Sequence, residues 1–176
     1  MLKGSEIESD FIKSVAATAL GKSCKKVSNQ DKKRIMLLLK EIINTSDSFQ
    51  SVAATGALEG LSELLSDNKC DDKEIYLKVA SYLLQNTYIS KDYFIRAKST
   101  QLLGKFLVNK IDPTDSDITD INQKVFRTLS DLLKDERRKI KMNACEALSD
   151  KDAKFTKFPD KITYESIQIL IEIAKV

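Results

Sequence analysis

The residue types that usually carry catalysis or bind metals are scarce in this chain. It contains no histidine, which removes the commonest general base, the commonest metal ligand and the usual physiological pH switch. Its three cysteines, Cys24, Cys70 and Cys145, lie far apart, so neither a disulfide framework nor a zinc site is predicted. No P-loop, GxGxxG, HExxH or GxSxG motif occurs. We therefore expect no enzyme activity, no metal and no cofactor.

The side chains that could bind a ligand are mostly basic, and they form two clusters. One runs from Lys22 to Arg34 and the other from Arg137 to Lys157. Both lie near expected helix starts or interhelix loops, where they could form one basic edge and hold phosphate groups. Interspersed acidic residues and sparse aromatic residues favour the plainer interpretation, which is solvated surface charge. Nucleic-acid binding through this basic edge is the alternative functional prediction.

Composition favours a helical domain. The chain has 176 residues, of which 42% are hydrophobic and 31% are charged, so it can bury a core. Only five glycines and two prolines occur, which is unusual for an all-β sandwich or barrel. The net charge of +3 neither demands nor excludes a nucleic-acid partner. We expect a single domain over residues 1–176.

No targeting or membrane segment is predicted. The N-terminus is polar and has no apolar signal region. The longest purely apolar run, Ile35 to Leu39, is far shorter than the roughly 20 residues that span a bilayer. We expect no membrane association and a cytoplasmic location, or a nuclear one in a eukaryote.

Apolar residues recur with helical spacing in blocks separated by short polar stretches. In the first block they fall on one stripe, which we expect to face the core: Ile12, Val15, Ala16, Ala19 and Leu20. No block alternates with a period of two, so no strand is predicted. The pattern predicts an all-α protein of about eight helices, near residues 6–23, 31–44, 47–65, 72–85, 91–108, 121–133, 137–148 and 163–175.

A short sequence pattern repeats along the chain. Ile95–Gly104 aligns with Ile140–Ser149 at an offset of 45 residues, and Ile12–Gly21 fits the same frame. The string Ser-Val-Ala-Ala-Thr at Ser14–Thr18 occurs again at Ser51–Thr55. Such spacing is typical of helical-repeat proteins, in which one helical pair cannot bury its apolar stripe until the next pair stacks on it.

This pattern resembles HEAT repeats, and more loosely armadillo repeats. The closest match is Leu132–Lys141, which is similar to the family's Leu-Leu pair, Asp turn and cationic opening of the second helix. Ala144, Ala147 and Leu148 continue it. The resemblance implies an α-solenoid, a HEAT/armadillo-like superhelix of about four helical pairs, which could be part of a longer solenoid. It implies little about function, because this fold is a scaffold with many uses.

The resemblance also suggests where a partner binds. Cations recur at one frame position, in Lys13, Arg96 and Lys141, where the family's cations hydrogen-bond within or between repeats. The second helix of each pair contributes to one shared face. We expect a protein partner, binding through a polar or acidic segment, on a mixed polar surface with a cationic bias made by Lys98, Gln101, Lys105, Lys139, Asn143 and Glu146. The predicted function is a protein-interaction scaffold or adaptor; the sequence predicts neither the partner's identity nor the oligomeric state.

Overall fold

The structure, a computed structural model, is all-α in the residues that it describes. These are residues 3–24, 27–45, 52–64, 72–90, 92–108 and 115–149, with residues 168 and 171. They form α1 (Lys3–Ser23), α2 (Asn29–Asn44), α3 (Val52–Glu63), α4 (Lys73–Ile89), α5 (Tyr93–Val108), α6 (Ser116–Leu132) and α7 (Arg138–Ser149). The predicted block at residues 163–175 lies almost entirely outside the described residues. A membrane span would need a long apolar run, and no helix within the described ranges has one.

Side-chain caps determine where several helices begin. Ser28 accepts a hydrogen bond from the backbone N–H of Asp31 at 3.2 Å and begins α2. Asp72 caps α4 in the same way. Asp115 accepts hydrogen bonds from the N–H groups of Asp117 and Ile118, so α6 begins at Ser116. The apolar spacing predicts a later start, at residue 121. Each cap satisfies backbone donors that the first helical turn leaves unpaired.

The helices form two rows. Helices α1, α3, α5 and α7 pack side by side in that order, and we call them the odd row. Helices α2, α4 and α6 form the even row, and each also packs against the odd-row helix that follows it. Within the described part of the chain, all extensive contacts join helices one or two positions apart in chain order. One apolar core cluster runs between the rows through every helix.

The predicted core stripe of α1 is wrong. Ile12 is 61% exposed and Val15 is 54% exposed, whereas Ala17, Gly21 and Cys24 on the opposite side of the helix are buried. The reason is that α1 packs on α3 through small residues, which let two helix backbones approach closely. Ile12 and Val15 therefore face away from the rest of the described structure.

Glycines set the distance between α1 and α3. A Cβ atom added to Gly60 would lie 2.5 Å from the backbone oxygen of Ala17, closer than any real Cβ contact. Gly21 faces Gly60 directly, so both backbones lack a side chain at the crossing point. Thr18 Oγ1 also lies 3.3 Å from the carbonyl oxygen of Gly56, to which it donates a hydrogen bond. This contact tolerates no larger residue without moving one helix.

The even row is connected by the tyrosines of α4. The Tyr76 hydroxyl donates to Asn122 Oδ1 of α6 at 2.6 Å, and Tyr76 is fully buried. The hydroxyls of Tyr82 and Tyr88 reach the neighbouring helices on either side, at Asn44 Oδ1 of α2 and Thr128 Oγ1 of α6. These tyrosines therefore join successive helices of the row.

Side-chain contacts between distant residues have a nearly constant sequence separation. The bonds from Tyr76 to Asn122 and from Tyr82 to Asn44 span 46 and 38 residues. An ion pair joins Lys33 of α2 to Glu74 of α4 across 41 residues. The hydrogen bonds described below, which link α5 to α3, to α7 and to the turn before α7, span 39 to 46 residues. A contact period of this size matches the repeat length read from the sequence.

Candidate partner-binding surface

Four of the predicted partner-binding residues are exposed on two helices of the odd row, α5 and α7. On α5, Gln101 and Lys105 are exposed, and on α7 the exposed residues are Lys139 and Glu146. Because α5 contacts both α3 and α7, these four predicted side chains lie on adjacent helices of one row. We call the surface made by Gln101, Lys105, Lys139 and Glu146 the odd-row surface.

Lys98 is at the margin of this surface and is already paired. Its side chain is only 20% exposed, and Nζ lies 2.7 Å from Glu59 Oε1 of α3. Lys105 makes a second link to α3 by donating to Ser62 Oγ at 3.1 Å. Both lysines thus connect α5 to α3, and Lys98 contributes little unpaired charge to a partner.

The prediction for Asn143 is wrong. It is 2% exposed, and its Nδ2 donates to the backbone oxygen of Ala97 on α5 at 2.6 Å. Asn143 lies on the side of α7 that packs against α5, next to Ala147, which approaches Gly104. Its amide therefore stabilises the contact between α5 and α7 and cannot meet a partner.

The cationic bias expected for this surface is weaker than the sequence predicts. Glu59 neutralises Lys98, and Glu146 stands on the same exposed face of α7 as Lys139. The contact of Lys105 with Ser62 does not offset the lysine charge, because the serine hydroxyl is a neutral acceptor. The surface is consequently mixed in charge, and its cations are Lys105 and Lys139.

Apolar side chains at this surface were missed by the sequence analysis. Phe94 at the start of α5 and Met142 on α7 are both exposed. Phe94 packs edge-on against Tyr93, with ring centroids 5.4 Å apart. Tyr93 also contacts the Arg137 guanidinium, which lies 5.1 Å from the centroid of the Tyr93 ring. The signal was present in the sequence as neighbouring aromatics, but helical spacing alone does not reveal which of them are exposed. Aromatic and methionine side chains are enriched at protein interfaces.

The described residues of the first basic cluster carry little unpaired positive charge. Lys32 is buried, Lys33 is paired with Glu74, and Arg34 lies 3.5 Å from Asp31. Among the described residues of this cluster, Lys22 is the only exposed cation without an ion pair. Residues 25 and 26 are outside the described ranges.

The second basic cluster is only partly described. Arg137, Arg138 and Lys139 are exposed at the start of α7. Residues 150–157, which hold the remaining lysines of this cluster, lie outside the described residues. The structure therefore gives no extended basic surface that joins the two clusters.

Arg96 makes hydrogen bonds, as expected from its frame position. Its Nε donates to the Thr87 backbone oxygen at 2.9 Å, and Nη2 lies 2.7 Å from Asp135 Oδ2 in the turn before α7. Both side chains of the ion pair are largely buried. Lys13, at the same frame position, instead reaches Asp10 of its own helix. Of these recurring cations, Arg96 thus contacts neighbouring elements, and Lys13 contacts its own helix.

The described cysteines are poor nucleophiles. Burial raises the pKa of the Cys24 thiol to about 11, and the nearby Lys32 only partly offsets this effect. Burial also raises the pKa of Cys145. Because the thiolate is the reactive form, both side chains are predominantly neutral at physiological pH. Within the described ranges, no three acidic, cysteine or histidine side chains are grouped closely enough to hold a metal ion.

Comparisons with protein-family models, curated proteins and solved structures find no match for this chain.

Proposed function

We propose that this protein is a HEAT-like α-solenoid that acts as a protein-interaction scaffold or adaptor. The observation that carries the proposal is the order of helix contacts. Next-nearest helices pack together all along the described chain, and the odd row forms one continuous layer. An up-and-down bundle folds back on itself and brings distant helices together, whereas stacked repeats touch only their neighbours.

The periodic side-chain bonds support the same proposal. Arg96 to Asp135 and Asn143 to the Ala97 oxygen join successive members of the odd row, at separations of 39 and 46 residues. Tyr76 to Asn122 does the same in the even row. Each pair therefore uses its polar side chains to orient the next pair, as expected for a repeat that is unstable alone.

We place the partner on the odd-row surface. It carries charges of both signs, and exposed Phe94 and Met142 provide apolar anchors at its edge. Interfaces with these features bind extended polar segments through hydrogen bonds while a few aromatic or methionine side chains supply most of the affinity. The partner in this proposal is a protein with a polar or acidic segment.

A capture experiment with matched variants tests this proposal. The tagged chain is used to recover proteins from native lysate, with and without nuclease, and the reproducible partner is identified by mass spectrometry. Lys105→Glu with Lys139→Glu should weaken its binding at least tenfold. Lys124→Glu with Arg127→Glu, two exposed positions on α6 of the even row, should leave it unchanged. Equal effects of the two pairs would contradict the assignment.

The same experiment distinguishes the nucleic-acid alternative. Binding through phosphates falls steeply as salt rises, because each contact releases counterions. A partner that is lost on nuclease treatment, and whose binding falls by orders of magnitude between 50 and 200 mM salt, would favour the basic edge. A scaffold that uses a mixed polar surface keeps its partner through nuclease treatment.

A further inference from the structure

A small pocket lies at the surface of the even row, between α2 and α4. It has a volume of about 280 Å³ and is lined by Lys40 of α2 and by five residues of α4, namely Leu77, Lys78, Ser81, Tyr82 and Gln85. We call it the α2–α4 pocket. Two of these side chains are apolar or aromatic and the others are polar; among the described residues that line the pocket, none is acidic. The pocket is separate from the odd-row surface and from both basic clusters.

Two contacts join α2 to α4 on either side of Lys40. Lys33 forms an ion pair with Glu74, and farther along the helices the Tyr82 hydroxyl donates to Asn44 Oδ1 at 2.8 Å. Leu37 lies on the same side of α2 by helical spacing, yet it is 63% exposed. The two helices are therefore joined at two levels and leave room for another side chain between them.

Lys40 carries an unpaired positive charge at this pocket. Its Nζ lies 4.7 Å from the centroid of the Tyr82 ring, and among the described acidic side chains none forms an ion pair with it. In contrast, Glu74 pairs with both Lys33 and Lys78. Burial, and then the nearby charge of Lys78, lower the pKa of Lys40 below its usual value. An anion bound beside the two lysines of the pocket would offset both effects.

Two neutral side chains of the pocket also have donors to offer. Ser81 and Gln85 are exposed, and neither side chain has a hydrogen-bond partner within the described ranges. A hydroxyl and an amide can each donate to a carboxylate oxygen, which has more than one lone pair to accept with. The pocket thus combines two ammonium groups and two neutral donors with an apolar side made by Leu77 and the Tyr82 ring.

We propose that the α2–α4 pocket binds the carboxylate of an acidic side chain of a partner protein, with an apolar neighbour of that side chain lying on Leu37. The single unpaired charge of Lys40 matches a carboxylate, whereas a phosphate group carries nearly two negative charges. Pockets that hold a whole small molecule have volumes of about 300–1,000 Å³, so this smaller one suits a single side chain of a larger partner. This contact lies beyond the odd-row surface of the proposed function.

A capped peptide with one glutamate between two leucines is the probe, and the same peptide with glutamine is its control. Nuclear magnetic resonance of the isotope-labelled chain should show saturable shifts at Lys40 and Ser81, and the glutamate peptide should bind at least tenfold tighter than the control. Lys40→Met keeps most of the apolar stem and removes the charge, so the two peptides should then bind equally. Lys124→Met, at an exposed lysine of α6, should leave the preference intact. Circular dichroism verifies the fold of each variant, and Lys78→Met repeats the test at a second lining residue.

Several results would overturn the proposal. One is the absence of saturation up to about 10 mM glutamate peptide, and another is a preference for glutamate that survives both Lys40→Met and Lys78→Met. Hexanoate that binds as tightly as the peptide would indicate a site for a small carboxylic acid, and a phosphoserine peptide that binds at least tenfold tighter would indicate a phosphate site. Lys105→Glu with Lys139→Glu should not change peptide binding, so this result is independent of whether the odd-row surface binds a partner.

Discussion

Replacing Gly60 by alanine should destabilise the protein, although alanine is the better helix former. The added Cβ would lie 2.5 Å from the Ala17 backbone oxygen and 3.1 Å from Leu39 Cδ1. The leucine methyl can move, but the oxygen belongs to the backbone of α1. An ordinary contact begins near 3.4 Å, so α1 would have to move about 0.9 Å away from α3.

Two opposing free-energy changes determine the size of the effect. Alanine stabilises a helix by about 1 kcal/mol relative to glycine. Overpacking a well-packed contact costs about 1–3 kcal/mol and sometimes more. The upper part of that range applies here, because Gly21 faces Gly60 and the whole crossing must open. We expect a net loss of about 1–2 kcal/mol, which lowers the melting temperature by about 2–8 °C in a chain of this size.

Thermal and urea unfolding followed by circular dichroism measure this change. The control is Lys124 on α6, an exposed position in the middle of a helix. There, Lys124→Ala should be more stable than Lys124→Gly by about 1 kcal/mol. The alanine–glycine difference should therefore have opposite signs at the two positions. If alanine stabilises both positions, the backbones of α1 and α3 are not in close contact and the reasoning is refuted.

Three further outcomes follow from other contacts. Arg96→Ala and Asp135→Ala should each destabilise the chain by about 2 kcal/mol, and a double-mutant cycle in urea should give a clear coupling energy; additive losses would contradict the ion pair. Ala144→Leu should cost about 1–3 kcal/mol, because Ala144 is fully buried, and an unchanged melting temperature would show that its surroundings are loose. The pKa of Glu74 is held down to about 2, from 4.5, by hydrogen bonds from Lys33 and Lys78, so its stabilising contribution is present above pH 4.5 and is lost as the pH falls toward 2. Glu74→Gln should reduce the slope of stability against pH in that window, and an unchanged slope would exclude these contacts.

The sequence predicts the helices of the described residues well. The prediction of 137–148 for the last described helix differs from Arg138–Ser149 by one residue, because the Asp135 turn gives a clear start. The cation that recurs in the repeated sequence frame also predicts a hydrogen-bonding role for Arg96. Its long side chain reaches Asp135 in the turn before α7. These features depend on local patterns and on a spacing that the chain itself repeats.

Two predictions of which side chains are exposed are wrong, one on α1 and one at Asn143. On α1, hydrophobic periodicity favours the larger side chains of Ile12 and Val15, but close packing selects the small face with Ala17 and Gly21. The polarity of Asn143 predicts an exposed side chain, yet the backbone oxygen of Ala97 on α5 gives its amide a buried acceptor. A single sequence does not say which helix will lie beside a residue, so neither outcome could be read from the pattern.

The distance between α1 and α7 tests the central claim, the stacking of helical pairs, most directly. Spin labels at Ala19→Cys and Glu146→Cys, two exposed positions one residue apart in the repeated sequence frame, report it by pulsed electron resonance. The background has Cys24, Cys70 and Cys145 replaced by alanine. Labelled chains are diluted with unlabelled protein so that only distances within one chain contribute. Three successive contacts of about 8–10 Å in the odd row predict helix axes about 24–30 Å apart. A distribution centred below roughly 20 Å would mean that the ends of the chain pack together, and stacked repeats would be wrong.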